Sequence, residues 1–180
     1  MKFLAIPLSL ALCAPVAAIA DISFTPYMGA GVESLSTKID SVKFKNNRVL
    51  LHAGAWVAQG IGLEAEISRD ISNEEHHSLT LEYDTFLRYG IRLISPPNES
   101  KVSLFVLLSG TRANISLYNS NADQSVKEKL DGYHAAVGLA AQLNPKLQLD
   151  LSYNSYNLNK NFDISGIRLS AEYAFGKLTR

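Results

Sequence analysis

Polar and apolar residues alternate with a period of two through the segment Leu81–Leu93. Apart from Thr85, leucine, isoleucine and tyrosine occupy one set of positions, and the charged or small residues of the other set are Glu82, Asp84, Arg88, Gly90 and Arg92. Successive side chains of a β-strand point to opposite faces, so this segment predicts a strand with one polar and one apolar face. The same period recurs along most of the chain.

Eight strands are predicted from this alternation, at Ile22–Glu33, Arg48–Val57, Gly62–Asp70, Leu79–Leu93, Val102–Ala113, Asp131–Leu143, Leu147–Leu158 and Ile164–Phe175. The connections after odd strands are longer and polar, at Leu35–Asn47, Ile71–Ser78, Tyr118–Leu130 and Asn159–Asp163. Those after even strands are compact, at Ala58–Ile61, Ser95–Lys101 and Asn144–Lys146. Long and short connections in alternation are typical of an all-β, eight-stranded antiparallel up-and-down transmembrane barrel.

The first twenty residues have the features of a cleavable secretory signal. Lys2 precedes an apolar core, and Ala18-Ile19-Ala20 forms a small-residue cleavage site. No later stretch has about 18 uninterrupted apolar residues, so any membrane crossing must use strands. We therefore expect residues 21–180 to form one barrel domain in the bacterial outer membrane, crossing it several times with both termini in the periplasm.

Charge and cysteine content exclude several classes of function. The chain has 17 basic and 17 acidic residues, and loss of the signal removes only Lys2, so nothing favours binding to nucleic acid. Its single cysteine, Cys13, lies in the signal, which removes thiol catalysis and disulfides from the mature chain. We expect no metal and no cofactor.

The polar face is predicted to line the lumen. It carries most of the strand glycines, and small side chains fit the narrow interior of an eight-stranded barrel. It also carries the strand arginines, whose planar guanidinium groups suit confined ion pairs with carboxylates. The predicted lumen network is Glu64, Glu66, Glu82, Asp84, Arg88, Arg92, Asp150, Arg168 and Glu172, with a structural role; His52 and His134 are expected beside it.

The apolar face is predicted to contact lipid and to end in aromatic residues at both interfaces. We expect Tyr83, Tyr133 and Tyr153 at the external side and Phe24, Tyr173 and Phe175 at the periplasmic side. Two basic residues of this face, Arg69 and Arg112, fall at external strand ends, and Lys43 and Lys45 lie in the first predicted loop. These four are the candidate contacts for lipopolysaccharide phosphates.

The chain resembles the small outer-membrane β-barrel family that includes the OmpX/Ail group and the transmembrane part of OmpA. The resemblance is carried by Pro26–Val32, Gly62–Glu66 and the final strand Gly166–Phe175. It implies a monomer that is inserted by the outer-membrane assembly machinery, lies among membrane lipid and lipopolysaccharide, and uses external loops for adhesion to host or extracellular ligands. Residues Gly176–Arg180 depart from the family, whose members usually end on an aromatic residue.

The sequence is best interpreted as a non-enzymatic protein of the outer membrane, without a catalytic site. One alternative is a lipid A-modifying hydrolase, in which Ser78 would be the nucleophile, His76 the base and Glu82 the acid that orients it. A second alternative is a soluble lipocalin-like carrier, which would show the same alternation with its faces reversed.

Overall fold

The computed structural model describes residues 24–39, 42–73, 75–76, 79–119, 124–158 and 162–176. These residues form eight long strands: β1 Thr25–Ile39, β2 Val42–Ala58, β3 Ile61–Asn73, β4 Leu79–Ile94, β5 Val102–Asn119, β6 Gln124–Gln142, β7 Leu147–Asn157 and β8 Phe162–Ala174. A two-residue strand, Glu75–His76, continues the line of β3 and pairs with β4. The predicted signal peptide lies outside the described residues.

Each strand pairs antiparallel with the next strand along the chain, and β1 also pairs with β8. The β1–β8 ladder closes the sheet into a barrel, which leaves no free edge in the region where all strands are paired. The predicted eight-stranded up-and-down barrel is therefore confirmed. Within the described residues, no helix is long and apolar enough to cross a membrane, an observation that does not concern strands.

Three compact turns connect the even strands to the odd strands that follow them. Gly60 has a φ of 71°, a left-handed conformation that glycine adopts without a steric penalty, and it closes the β2–β3 turn. In the β6–β7 turn the side-chain oxygen of Asn144 accepts from the backbone N–H of Lys146 at 2.8 Å and of Leu147 at 2.9 Å. These turns share one end of the barrel with the first and last residues of the described chain.

At the opposite end the strands are longer than the sequence predicts. β1 continues from Glu33 to Ile39, and β2 begins at Val42, so most of the predicted loop Leu35–Asn47 is a paired hairpin. The predicted loop Tyr118–Leu130 is likewise mostly strand, because β5 and β6 stay paired up to Asn119 and Gln124. Six extra residues in β1 extend the strand by roughly 20 Å.

The outward side chains along the turn-side half of the barrel form an apolar belt. Its most exposed members include Met28, Leu51, Leu63, Ile67, Leu104, Leu108, Val137, Leu151, Ile167 and Leu169. The predicted interface residues Phe24, Tyr133, Tyr153, Tyr173 and Phe175 also point outward. An apolar exterior around a charged interior is the arrangement of a membrane barrel, so the soluble-carrier alternative is not supported.

The alternation reverses above the belt. In the hairpin half of the barrel the inward side chains are mostly apolar and the outward ones are polar. The inward cluster, which we call the upper apolar plug, consists of Leu35, Phe44, Leu81, Tyr83, Phe86, Ala113, Ile115, Leu130, Tyr156, Leu158 and Ile164. Strands that leave the membrane face water on the outside, so they are stabilised like an ordinary soluble barrel, by apolar side chains in the middle.

Candidate functional site: ionic lumen and basic rim

Two arginines hold the paired glutamates of β3 at the centre of the lumen. Arg88 Nη2 donates to Glu64 Oε1 at 2.9 Å and to Glu66 Oε2 at 2.6 Å. Arg168, from β8, donates from Nη1 to the same Glu66 oxygen at 2.5 Å. All four side chains are almost completely buried. The cross-lumen pairing neutralises carboxylates that would otherwise be costly to hold away from water.

Arg92 forms a second group nearer the turn end. Its guanidinium donates to Asp150 Oδ2 at 2.7 Å and to Glu172 Oε2 at 2.9 Å. The guanidinium carbon Cζ of Arg92 lies over the Phe105 ring, 4.2 Å from its centroid. β4, β7 and β8 are thereby joined through the lumen in addition to the backbone ladders between neighbours.

A third group, built around Arg48, was not predicted from the sequence. Arg48 Nη2 lies 2.5 Å from Glu33 Oε2, donates to the Tyr156 hydroxyl, and the guanidinium lies 4.2 Å from the Phe86 ring centroid. Arg48 is fully buried. The alternation could have predicted that both residues point into the lumen. Glu33 has the same parity as the inward glycines of β1, and Arg48 has the same parity as His52.

The two lumen histidines extend these hydrogen-bond networks. His134 contacts Ser109 Oγ at 2.8 Å through Nδ1 and Asn154 Oδ1 at 2.9 Å through Nε2. His52 Nδ1 lies 2.9 Å from Arg168 Nη2 and therefore accepts a hydrogen bond. Both rings act as connectors between charged and neutral polar groups.

One set of lumen residues has the composition of a metal site. His52, Glu64 and Glu172 each offer a ligand atom, and these atoms lie within 4.8 Å of one another. Arginine already occupies this space, since Arg92 pairs with Glu172 and Arg168 with His52. A further cation would have to displace one of these guanidinium groups, so the geometry favours a structural ion network.

Apolar residues close the lumen on both sides of the ionic groups. The upper apolar plug lies on the hairpin side. On the turn side a smaller cluster is formed by Tyr27, Trp56, Ile94, Phe105, Ala140 and Ala174. A cavity between Glu64 and Arg92 measures about 10 Å³, room for about one water molecule. The described residues therefore fill the lumen with side chains, as expected for eight strands.

Glu82 and Asp84 do not belong to this network, which corrects the sequence prediction. The β4–β5 register shifts between Tyr83 and Thr85, so the inward and outward positions exchange at this bulge. Both acids are half-buried on the outer side, and Asp84 Oδ2 accepts from Ser116 Oγ at 2.8 Å. The other seven predicted network residues are all buried in the lumen.

Tyr83 is displaced by the same bulge. The sequence placed it in the external aromatic girdle, but it is 1 % exposed and lies in the upper apolar plug. Its hydroxyl is 2.8 Å from Thr37 Oγ1 on β1. That hydrogen bond connects two strands through the interior of the hairpin half of the barrel.

The hypothetical catalytic set is not assembled by the described residues. Ser78 lies outside them, and nothing is described of the His76 side chain. Glu82 is half-buried on the outer side of β4. The hydrolase interpretation stays an alternative without structural support.

The four rim cations lie on two different faces of the barrel. Lys43, Lys45 and Arg69 share the outward face of β2 and β3, where Arg69 stands opposite Val49. Arg112 is on β5, and its Nε donates to Asp131 Oδ1 of β6 at 2.7 Å. This hydrogen bond and the negative charge of Asp131 raise the pKa of Arg112, which stays charged and paired.

The model of the outer membrane protein beta-barrel domain matches residues 4–175. The match covers nearly all of the chain. The chain belongs to the outer membrane protein beta-barrel domain family. The assignment to small bacterial outer-membrane barrels is thereby confirmed, and the apolar belt is the part of this family member that contacts the bilayer. No curated protein sequence matches the chain.

Solved outer-membrane barrels have the same fold as this family member. Neisserial surface protein A (NspA) aligns with a TM-score of 0.72 and 13% identity over 83% of this chain and 97% of its own. Ail, the attachment invasion locus protein of Yersinia pestis, aligns at 0.64 with 17% identity, over 85% and 99%. OprG from Pseudomonas aeruginosa aligns at 0.60 with 10% identity, over 86% and 97%. At these identities the likeness is one of fold.

Proposed function

We propose that this outer-membrane barrel is a non-enzymatic surface protein, whose external hairpins bind partners outside the cell. The observation that carries the proposal is the filled lumen. Ion pairs occupy its middle and apolar clusters lie on both sides, so the described residues leave neither a solute path nor an open reaction site. We therefore assign the binding of partners to the outer surface of the protein.

The hairpin half of the barrel is a rigid platform for such binding. β1 and β2 remain paired from Thr25 and Trp56 up to Ile39 and Val42. The upper apolar plug fills the space beneath these hairpins and fixes their positions. Binding residues placed on it would lose little conformational entropy when a ligand binds.

The charge of the first hairpin favours an anionic partner. Lys38 and Lys43 are register partners near its tip, and Lys45 follows on the same outward face. Ail, which has the same fold, has been solved in complex with the heparin analogue sucrose octasulfate. A sulfated or phosphorylated polyanion is therefore the partner class that we propose for this hairpin. Phosphates of the surrounding lipopolysaccharide are proposed contacts for Lys45 and Arg69, which share the β2–β3 face.

Binding of intact cells to heparin-coated beads tests this function. We expect cells that display the wild-type protein to bind the beads, and cells with the double variant Lys38→Ala/Lys43→Ala to lose most of that binding. The matched control is Lys101→Ala/Lys146→Ala, which removes two exposed lysines from the turn end. Equal binding by all three would contradict the proposal.

A further inference from the structure

The lipid-facing wall of the barrel has a recess in its apolar belt. It is an open, shallow depression with a volume of about 480 Å³ that lies across β2, β3 and β4, and its walls are almost entirely apolar. The lining side chains include Ala53, Ala55, Leu63, Ala65, Tyr89 and Ile91. At the same height, β7 and β8 carry larger outward side chains such as Leu151 and Leu169.

The direction of the Tyr89 side chain explains why the recess is open. Ala53, Ala65 and Tyr89 are consecutive partners across the three strands. The ring of Tyr89 lies over Gly110 of β5, so close that a Cβ at Gly110 would be 3.1 Å from its Cζ. Because the ring covers β5, it leaves the two alanines on its other side uncovered.

Two basic residues, Arg69 and Lys45, lie above this recess on β3 and β2. Arg69 follows Ala65 by four residues on the outward face of β3, roughly 13 Å along the strand. Lys45 lies on the outward face of β2. Arg69 makes no ion pair with a described residue, whereas Arg112 at the rim of β5 is paired with Asp131.

The two acids at the neighbouring end of β4, Glu82 and Asp84, form no ion pair with Arg69 among the described residues. β3 and β4 stop pairing at Ser68 and Phe86, below the level of Glu82 and Asp84. Asp84 is hydrogen-bonded to Ser116 of β5. Within the described residues, Arg69 is therefore not neutralised by a direct ion pair with a carboxylate of β2, β3 or β4.

From this arrangement we infer a binding site for one lipopolysaccharide molecule on the β2–β3 wall. An acyl chain fills the recess beside Ala53 and Ala65, and a lipid A phosphate pairs with Arg69 and Lys45. The vertical match supports a lipid, since one leaflet contributes roughly 15 Å of hydrocarbon and the recess lies within that depth below Arg69. The inference rests on the proposed orientation, in which the hairpins face the cell surface.

Native mass spectrometry of the detergent-purified protein with added lipid A tests the site. We expect wild type to retain one lipid A molecule, and Ala65→Leu and Arg69→Ala each to weaken retention roughly tenfold. Ala171→Leu, which enlarges an outward alanine on β8, and Arg112→Ala, which removes a paired rim cation, are the matched controls and should retain it. A heat-modifiable gel band for every variant shows that each one folds.

The other outcomes each contradict part or all of this inference. Equal retention by all five proteins, or equal retention of phosphatidylglycerol in place of lipid A, overturns the site. If Arg69→Ala fails to retain lipid A while Ala65→Leu still retains it, the acyl recess is not part of the binding site. A dimer that disappears in Ala65→Leu would assign the recess to a second copy of the chain. We expect Ala65→Leu to leave bead binding by intact cells unchanged, so failure here is distinguishable from failure of the proposed surface function.

Discussion

Arg92 on β4 reaches across the lumen to Asp150 on β7, with 2.7 Å between Nη2 and Oδ2. The two strands are not neighbours in the barrel, so this ion pair links opposite walls through the interior. Such links distinguish the present lumen from a pore, because a water-filled channel would require these side chains to separate.

Removing this arginine should destabilise the barrel strongly. In Arg92→Met, the carboxylates of Asp150 and Glu172 lose their cation and remain buried. We expect the free energy of unfolding to fall by about 3–5 kcal/mol. Urea titration of the protein in micelles or liposomes, followed by gel mobility, measures this change.

Two further variants separate charge from packing in that experiment. Arg92→Met/Asp150→Asn should recover part of the loss, because one uncompensated negative charge is removed. Arg112→Met should show no measurable change, since its pair with Asp131 is exposed to solvent. A single variant Arg92→Met as stable as wild type would mean that the lumen network does not hold the walls together.

Two tyrosines should respond differently to truncation. Tyr83 is buried in the upper apolar plug and bonded to Thr37, whereas Tyr133 points outward and is 63 % exposed. We expect Tyr83→Ala to lower the free energy of unfolding by about 3 kcal/mol or more, as for large buried side chains. Tyr133→Ala should cost much less in the same titration. A larger loss of stability in Tyr133→Ala than in Tyr83→Ala would contradict the burial of Tyr83 and favour its place in the outer aromatic girdle.

The filled lumen predicts a protein that does not conduct. In planar bilayers we expect no stable current steps from the wild type, because apolar side chains such as Phe86 and Phe105 lie on either side of the ionic groups. Removing one large side chain from the turn-side cluster, as in Trp56→Ala, should also fail to open a path for ions, because the upper apolar plug stays in place. Regular single-channel steps from the wild type would contradict the closed lumen and with it the surface-binding proposal.

The sequence predicted the membrane-embedded half of the barrel because one rule applies throughout it. Between the interfaces, polar side chains point inward and apolar ones outward, so the parity of Glu64, Arg88, Arg92 and Asp150 placed them in the lumen. Glu33 and Arg48 follow the same rule, but they stand at predicted strand ends next to polar stretches.

The hairpin half could not be predicted by that rule, because its physical environment is different. Above the belt, Leu35 and Phe44 point inward while Ser36 and Lys45 face water, and these polar outward residues resemble those of loops. The bulge beside Asp84 is a second cause of error. A single extra residue in β4 exchanged the faces of Glu82 and Tyr83, and nothing in the alternation marks where that occurs.

Single-cysteine labelling of whole cells tests the central claim most directly, namely that the apolar belt lies in the outer membrane with the hairpins outside. The only cysteine in the chain is Cys13, in the predicted signal, so the parent protein serves as the background. With a water-soluble, membrane-impermeant maleimide, we predict labelling of Lys43→Cys in intact cells, of Lys146→Cys only after the membrane is opened, and of Leu151→Cys in neither case. Rapid labelling of Leu151→Cys, or labelling of Lys146→Cys but not of Lys43→Cys in intact cells, would contradict the account.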